Sequence, residues 1–120
     1  MEQRKDMSAR SRGNSFVHAF NGLKVVIKEP NAVLHAIITV LVVIAGFARH
    51  LNTTRWIAVI FAIGLVWITE TLNTSIERLC DHTCENKFHP SIKIIKDVAA
   101  GAVLLAAMTS VLVGIMAFFL

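Results

Sequence analysis

Trp56-Ile-Ala-Val-Ile-Phe-Ala-Ile-Gly-Leu-Val-Trp-Ile-Thr69 carries no charge and runs directly into Glu70-Thr-Leu-Asn73-Thr-Ser-Ile-Glu77. The first part has the polarity of a membrane-crossing helix, which needs roughly 20 apolar residues and at least about 17. The second part places two carboxylates and an amide at i, i+3 and i+7, so all three share one helical face. A carboxylate at the edge of hydrocarbon is costly, and such a residue is a functional candidate by default. This junction decides the fold and locates the chemistry.

Two further stretches read as spans. Residues 32–48 are apolar apart from His35 and Thr39, and residues 98–120 carry no charge. A hydrophobic share of 55% and a mean hydropathy of +0.63 exceed those of an ordinary soluble domain. The chain therefore reads as one all-α, integral membrane unit over 1–120. An N-terminal amphipathic surface helix is expected at 14–29, and helices containing three transmembrane spans at 31–49, 55–81 and 90–120. The charged start lacks an early apolar run and a small-residue cleavage site, so no cleaved signal peptide is expected and the first span serves for insertion.

Charge is read by position. Arg4, Lys5, Arg10, Arg12, Lys24 and Lys28 precede the first span, and Arg78, Lys87, Lys93 and Lys96 lie between the second and third. Only Arg49 and Arg55 lie between the first and second. The positive-inside rule then places the N-terminus and the second connection in the cytoplasm. Topology and anionic headgroups account for the net charge of +4, and no nucleic-acid partner is expected.

Along the chain, residues 1–13 read as a mobile polar lead-in. Phe16, Phe20, Leu23 and Ile27 then form an apolar helical stripe, with His18, Asn21, Lys24 and Lys28 off it. That pattern suits a helix in the membrane interface, a helix packed on the rest of the protein, or both. Glu29-Pro30 breaks the register, because a residue before proline is pushed away from the α region. Glu29 thereby reaches the same boundary depth as Glu77. His35 reads as a helix-end histidine that snorkels or bonds a neighbouring helix rather than a catalytic one. Thr53 or Thr54 is suited to cap the second helix, and Asp81 extends the face of Glu70 and Glu77. Cys80, Cys84, His82 and His89 have loose zinc-ligand spacing, but the short polar connection gives them no fixed geometry. Reduced thiols are the expectation on the cytoplasmic side. Pro90 suits the first position of the third helix. Ala102, Ala106, Ser110 and Gly114 recur at every fourth position and read as a close-packing face.

Glu29, Glu70, Asn73, Glu77, Lys96 and Asp97 thus gather at one depth. Carboxylates suit Mg²⁺, which takes one or two of them plus substrate phosphates, and a lysine offsets phosphate charge. A carboxylate inside the apolar boundary suits a general base acting on a hydroxyl held in the lipid phase. These are the parts for phosphoryl transfer from a soluble nucleotide to a lipid alcohol. The six glycines form neither a Walker-type loop nor Gly-x-Gly-x-x-Gly. Two other readings compete. A small proton-coupled transporter would use Glu70 but gives no role to Glu29, Glu77 or Lys96. A non-catalytic adaptor would use the polar stripe only to pack helices.

Glu70-x-x-Asn73-Thr-x-Ile-Glu77, Asp81, His89-Pro90 and Lys96-Asp97-x-Ala-x-Gly-Ala-Val-Leu-Leu resemble the prokaryotic diacylglycerol kinase family. That family includes the diacylglycerol kinases of Gram-negative bacteria and the undecaprenol kinases of Gram-positive bacteria. The resemblance covers the chain from Ser15 onward. It implies a homotrimeric, multi-pass enzyme of the bacterial cytoplasmic (inner) membrane that moves the ATP γ-phosphate to a lipid hydroxyl with Mg²⁺. It implies Glu70 as the base, Glu29 and Glu77 as Mg²⁺ and ATP ligands, and Asn73 as an orienting residue. Lys96, Asp97 and the Lys87-Phe88-His89 turn would contact the nucleotide, as would His18, where the family usually has tyrosine. The Phe16–Ile27 stripe would admit the lipid. Ser75 and Arg78 depart from the family's small residues, and the loop before Phe88 is about one residue longer than in the Gram-negative enzymes. The run from Lys96 is more like the undecaprenol kinase branch, so a polyprenol acceptor is favoured, with diacylglycerol behind it. Three thin spans are also expected to need an oligomer to enclose a water-excluded site.

Overall fold

A computed structural model describes residues 9–120, with side chains described from Arg12 onward. Four helices follow one another: α1 (Ala9–Ile27), α2 (Pro30–Ala48), α3 (Thr53–Thr83) and α4 (Pro90–Phe119). The last three are long and apolar enough to cross a membrane. Of the lead-in expected over 1–13, residues 1–8 lie outside the described residues, and 9–13 are already helical. The surface helix therefore starts five residues earlier than the expected Asn14 and ends at Ile27.

Local chemistry accounts for the breaks. Glu29 is extended (ψ 141°) and precedes Pro30 at the start of α2, so the chain turns where proline requires it. The α2–α3 turn uses a left-handed residue, His50 (φ 51°). The cap of α3 is Asn52, not Thr53 or Thr54: its Oδ1 accepts from the Arg55 N–H at 3.0 Å. Asn sits just outside the first helical turn and ranks among the strongest N-caps, which leaves both threonines free to begin the helix. After α3, Glu85 and Asn86 turn left-handed, and His89 caps α4 by accepting the Ser91 N–H on Nδ1 at 3.2 Å.

With 31 residues, α3 extends about 46 Å at 1.5 Å per residue, beyond a hydrocarbon core of about 30 Å. Its polar end therefore stands in the interface. The α3–α4 pairing is the most extensive in the molecule, and α2 leans on α3 over a shorter stretch. The face that α4 buries is Ala99, Ala106 and Ala117, and Ser110 Oγ donates to the Ala62 carbonyl of α3 at 3.0 Å. Ala102 is exposed, so the four-residue ladder is only in part the packing face. Each step of four residues rotates about 40° past a full turn, so a longer seam follows spacings of seven and eleven residues, as Ala99, Ala106 and Ala117 do. An apolar cleft of about 500 Å³ is left between α2 and α4, with Leu34, Ile38, Val42, Val66, Val111 and Phe118 on its walls.

The α1 helix touches α2 and α3. Val26 near its C-terminus is buried, while Phe16 and Phe20 stay exposed. The C-terminal end of α1 is thus docked through Val26, off the expected stripe, while Leu23 and Ile27 of that stripe stay exposed with the two phenylalanines.

At the opposite end of the bundle, Arg49 and Arg55 do more than set topology. Arg49 Nη2 donates to the Phe118 carbonyl at 2.8 Å and Arg55 Nη1 to the Ala117 carbonyl at 2.7 Å. They satisfy carbonyls that the last turn of α4 leaves unpaired. Nearby, Trp56 packs on Phe47 with ring centroids 4.9 Å apart and lies over Gly46, where a Cβ would sit 2.5 Å from the indole. Gly46→Ala is expected to lower stability by about 1–3 kcal/mol, the usual cost of overpacking. Unfolding in detergent measures it.

Candidate active site

The carboxylate of Glu70 is almost fully enclosed, with 2% of the residue exposed, and Asn73 one turn on is 3% exposed. This burial occurs within a single chain, so enclosure of Glu70 does not require neighbouring copies. α2 and α4 flank α3, which turns the carboxylate inward.

Opposite Glu70 stands His35 of α2. Its Nε2 lies 3.3 Å from Glu70 Oε2, with the imidazole 13% exposed. The contact is close but off the hydrogen-bonding line, and Glu70 Oε2 has no hydrogen bond. Asn73 Nδ2 donates to Glu77 Oε1 at 3.2 Å, whereas the buried Asn73 Oδ1 has no partner. A buried acceptor left unpaired costs about 1–3 kcal/mol. Two such oxygens one turn apart on α3 mark a face built to receive a donor or a cation.

Higher on α3 the face opens. A cleft of about 370 Å³ is lined by Glu29, Thr74, Glu77, Arg78 and Asp81. Arg78 Nη2 donates to Glu29 Oε1 at 2.8 Å, tying the α1–α2 hinge to α3. Lys96 of α4 is bonded to Asp81. The hinge, α3 and α4 thus meet at one boundary, with carboxylates and cations facing the same space.

The family model for prokaryotic diacylglycerol kinase matches residues 17–118. The chain belongs to the prokaryotic diacylglycerol kinase family. It is 38% identical over 105 residues to a protein of Bacillus subtilis named undecaprenol kinase, covering 87% of this chain and 85% of that one. It is also 38% identical over 101 residues to a protein of Synechocystis sp. named diacylglycerol kinase, covering 83% of this chain and 58% of that longer relative. No solved structure matches it. By family this chain is a membrane lipid kinase.

Within this lipid kinase, Glu29, Asn73 and Glu77 come together at the boundary, and Glu70 lies deeper on the same face of α3. Lys96 joins them through Asp81. Asp97 instead accepts from Lys93 at 2.6 Å on an exposed face of α4. Lys87 and Phe88 are exposed in the α3–α4 connection, Lys87 lying 3.9 Å from Glu85. His89 is occupied as the α4 cap, and His18 is exposed on α1. None of these five lines the boundary cleft. Cys80 is buried and Cys84 half-buried, both as free thiols.

Two contributors escaped the sequence reading. Thr74 is buried in the cleft wall, and Arg78, which the sequence places only as a topology-setting charge and a departure from the family pattern, is the partner of Glu29. A third is His35, whose expected partner on a neighbouring helix is Glu70 of α3. Its signal was present: His35 is the only ionisable residue in 32–48 and Glu70 the only one in 56–72. Two solitary ionisable groups at matching depth in neighbouring spans are expected to pair.

For Mg²⁺ the donors are suitable. Among the described residues no three His, Cys, Asp or Glu side chains converge as a metal cage. Mg²⁺ does not need one, because it is held by one or two carboxylates with substrate phosphates completing the shell. Glu29 and Glu77 face one cleft, and Asn73, bonded to Glu77 through Nδ2, has a further hard oxygen without a partner.

Proposed function

We propose that this lipid kinase transfers the γ-phosphate of ATP directly to a lipid alcohol, undecaprenol first and diacylglycerol second. The observation that carries the reading is the division of α3. Glu70 is buried on the lipid side, and Glu77 opens onto the boundary cleft about 10 Å higher along the helix axis.

In this reading the lipid hydroxyl gives its proton to Glu70 as its oxygen bonds to the γ-phosphorus. The bond between that phosphorus and the bridging oxygen breaks, and the electron pair leaves on ADP. Asn73 holds Glu77 through its Nδ2 and orients the site with its free oxygen. Glu29 and Glu77 would hold Mg²⁺, which when bound neutralises charge on the transferring phosphoryl group. Arg78 and Lys96 add positive charge at the same rim, each now held by a carboxylate that incoming phosphate competes with. Lys87, Phe88, His89, Asp97 and His18 are the residues proposed to contact the rest of the nucleotide, which extends past the cleft.

The same proposal makes residues 1–120 a single kinase unit with its N-terminus and site in the cytoplasm. Lys24, Lys28, Arg78, Lys87, Lys93 and Lys96 cluster at the site end, and only Arg49 and Arg55 lie at the other. A homotrimer is the proposed assembly, resting on family resemblance and on the open cleft between α2 and α4. Polyprenol is placed first because the chain covers most of the undecaprenol kinase relative and little more than half of the diacylglycerol kinase relative.

The test is purified protein in vesicles containing both lipids, supplied with Mg²⁺ and γ-labelled ATP. Label is expected in polyprenyl phosphate faster than in phosphatidic acid, in particles of trimer mass. The opposite order of rates would reverse the acceptor assignment, and label in neither lipid would overturn the function.

A further inference from the structure

We infer that His35 is a positioning residue of the transfer reaction: its imidazole N–H fixes the Glu70 carboxylate in the orientation from which Glu70 takes the lipid proton. This rests on the reading of Glu70 as the base.

The pair is the one place where α2 meets the catalytic face of α3 through ionisable groups. His35 Nε2 stands 3.3 Å from Glu70 Oε2, and that oxygen is buried with no hydrogen bond. At that distance an Nε2–H aimed at the oxygen forms an N–H···O bond once the two are aligned. Catalytic hydrogen bonds are often misaligned without substrate and tighten when it binds.

The imidazole is itself braced. Trp67, one turn before Glu70, meets its ring edge-on, with centroids 6.3 Å apart and planes at 66°. The Trp67 indole N–H donates to Thr39 Oγ1 at 3.0 Å, and that hydroxyl donates to the His35 carbonyl at 2.7 Å. A closed loop, His35 to Thr39 to Trp67 and back, therefore clamps the histidine against α3 on the side of the carboxylate. A histidine that only filled space between spans would gain nothing from such a brace. In metal sites, losing the outer partner that orients a carboxylate or histidine usually costs about 10–100-fold, and the same scale is expected for a partner that orients a base.

His35 also lines the head of the apolar cleft between α2 and α4. The imidazole thus stands between the Glu70 carboxylate and the apolar space on the lipid side. It turns the carboxylate away from free rotation at the point where a lipid hydroxyl would reach it.

The experiment compares His35→Leu, His35→Gln, Glu70→Gln and the double variant His35→Leu/Glu70→Gln, all full-length in vesicles with polyprenol, with thermal unfolding alongside. His35→Leu is expected to lower kcat about 10–100-fold with KM for lipid and ATP held within about threefold, since an interaction of the transition state is lost. Its melting temperature stays at or above wild type, because leucine suits the apolar setting. His35→Gln recovers most of the rate, as an amide N–H reaches the same oxygen. The double variant is no slower than Glu70→Gln alone, the signature of two residues acting through one group. A His35→Leu enzyme with wild-type turnover beside an inactive Glu70→Gln would overturn the role of His35 alone. Equal loss in the Leu and Gln variants with equally lowered melting temperatures would assign His35 to packing and overturn it as well. An active Glu70→Gln enzyme would overturn the reading of Glu70 itself, and this inference with it.

Discussion

Glu70→Gln is expected to lower turnover by about 10²–10⁴-fold, the range that a positioned general base contributes. The amide matches the carboxylate in shape and keeps the enclosure of a residue that is 2% exposed. It removes only the capacity to take a proton. The fold should therefore be retained, and lipid KM should change little, so that the loss falls in kcat. Initial rates of lipid phosphate formation in vesicles measure this. A rate within tenfold of wild type would remove Glu70 from the base role. The same variant separates the readings: a proton-coupled transporter would lose ion-dependent uptake and show no labelled lipid from the outset. An adaptor would show neither effect.

Glu77→Gln is the second large loss, by about 10²–10³-fold at ordinary Mg²⁺, the scale for removing one group that stabilises developing charge. Its effect differs in kind. Glutamine keeps an oxygen to accept the Asn73 Nδ2 hydrogen bond of 3.2 Å, so the face of α3 stays ordered. What goes is one of the two cleft-lining carboxylates proposed to hold Mg²⁺, the other being Glu29. Glu29 is already shared with Arg78, and a single contested carboxylate holds a hard cation poorly. The Mg²⁺ requirement should rise by at least tenfold, with partial recovery at high Mg²⁺. Full activity at wild-type Mg²⁺ would exclude Glu77 as a ligand.

Much of this architecture is legible in the sequence because a bilayer makes hydropathy nearly sufficient. Charge-free runs of helical length cannot be anything but spans or buried helices, and Glu29-Pro30 has to break the chain. The polar face of α3 is equally legible, since i, i+3 and i+7 share a face whatever packs against it. What stays hidden is whatever depends on how helices rotate about one another. His35 and Glu70 pair only because α2 turns its single ionisable residue towards α3. Arg49 and Arg55 reach the Phe118 and Ala117 carbonyls only because α4 ends beside the α2–α3 turn. Lys96 bonds Asp81, and Asp97 bonds Lys93 on another face, although the two are adjacent in sequence. Neighbours on a helix are about 100° apart, so a motif that is contiguous in sequence is divided in space. The small-residue ladder on α4 holds only in part for a related reason: Ala106 and Ser110 lie on the seam with α3, but the four-residue spacing leaves Ala102 exposed.

In the proposed mechanism α3 divides one reaction along its length, with a base on the lipid side and a cation ligand on the water side. The Mg²⁺ dependence of labelled lipid formation, recorded for wild type, Glu70→Gln and Glu77→Gln under the same conditions, tests it most directly. Glu70→Gln is expected to lower the plateau without moving the Mg²⁺ midpoint, while Glu77→Gln moves the midpoint to higher Mg²⁺. The same midpoint in all three proteins would contradict it.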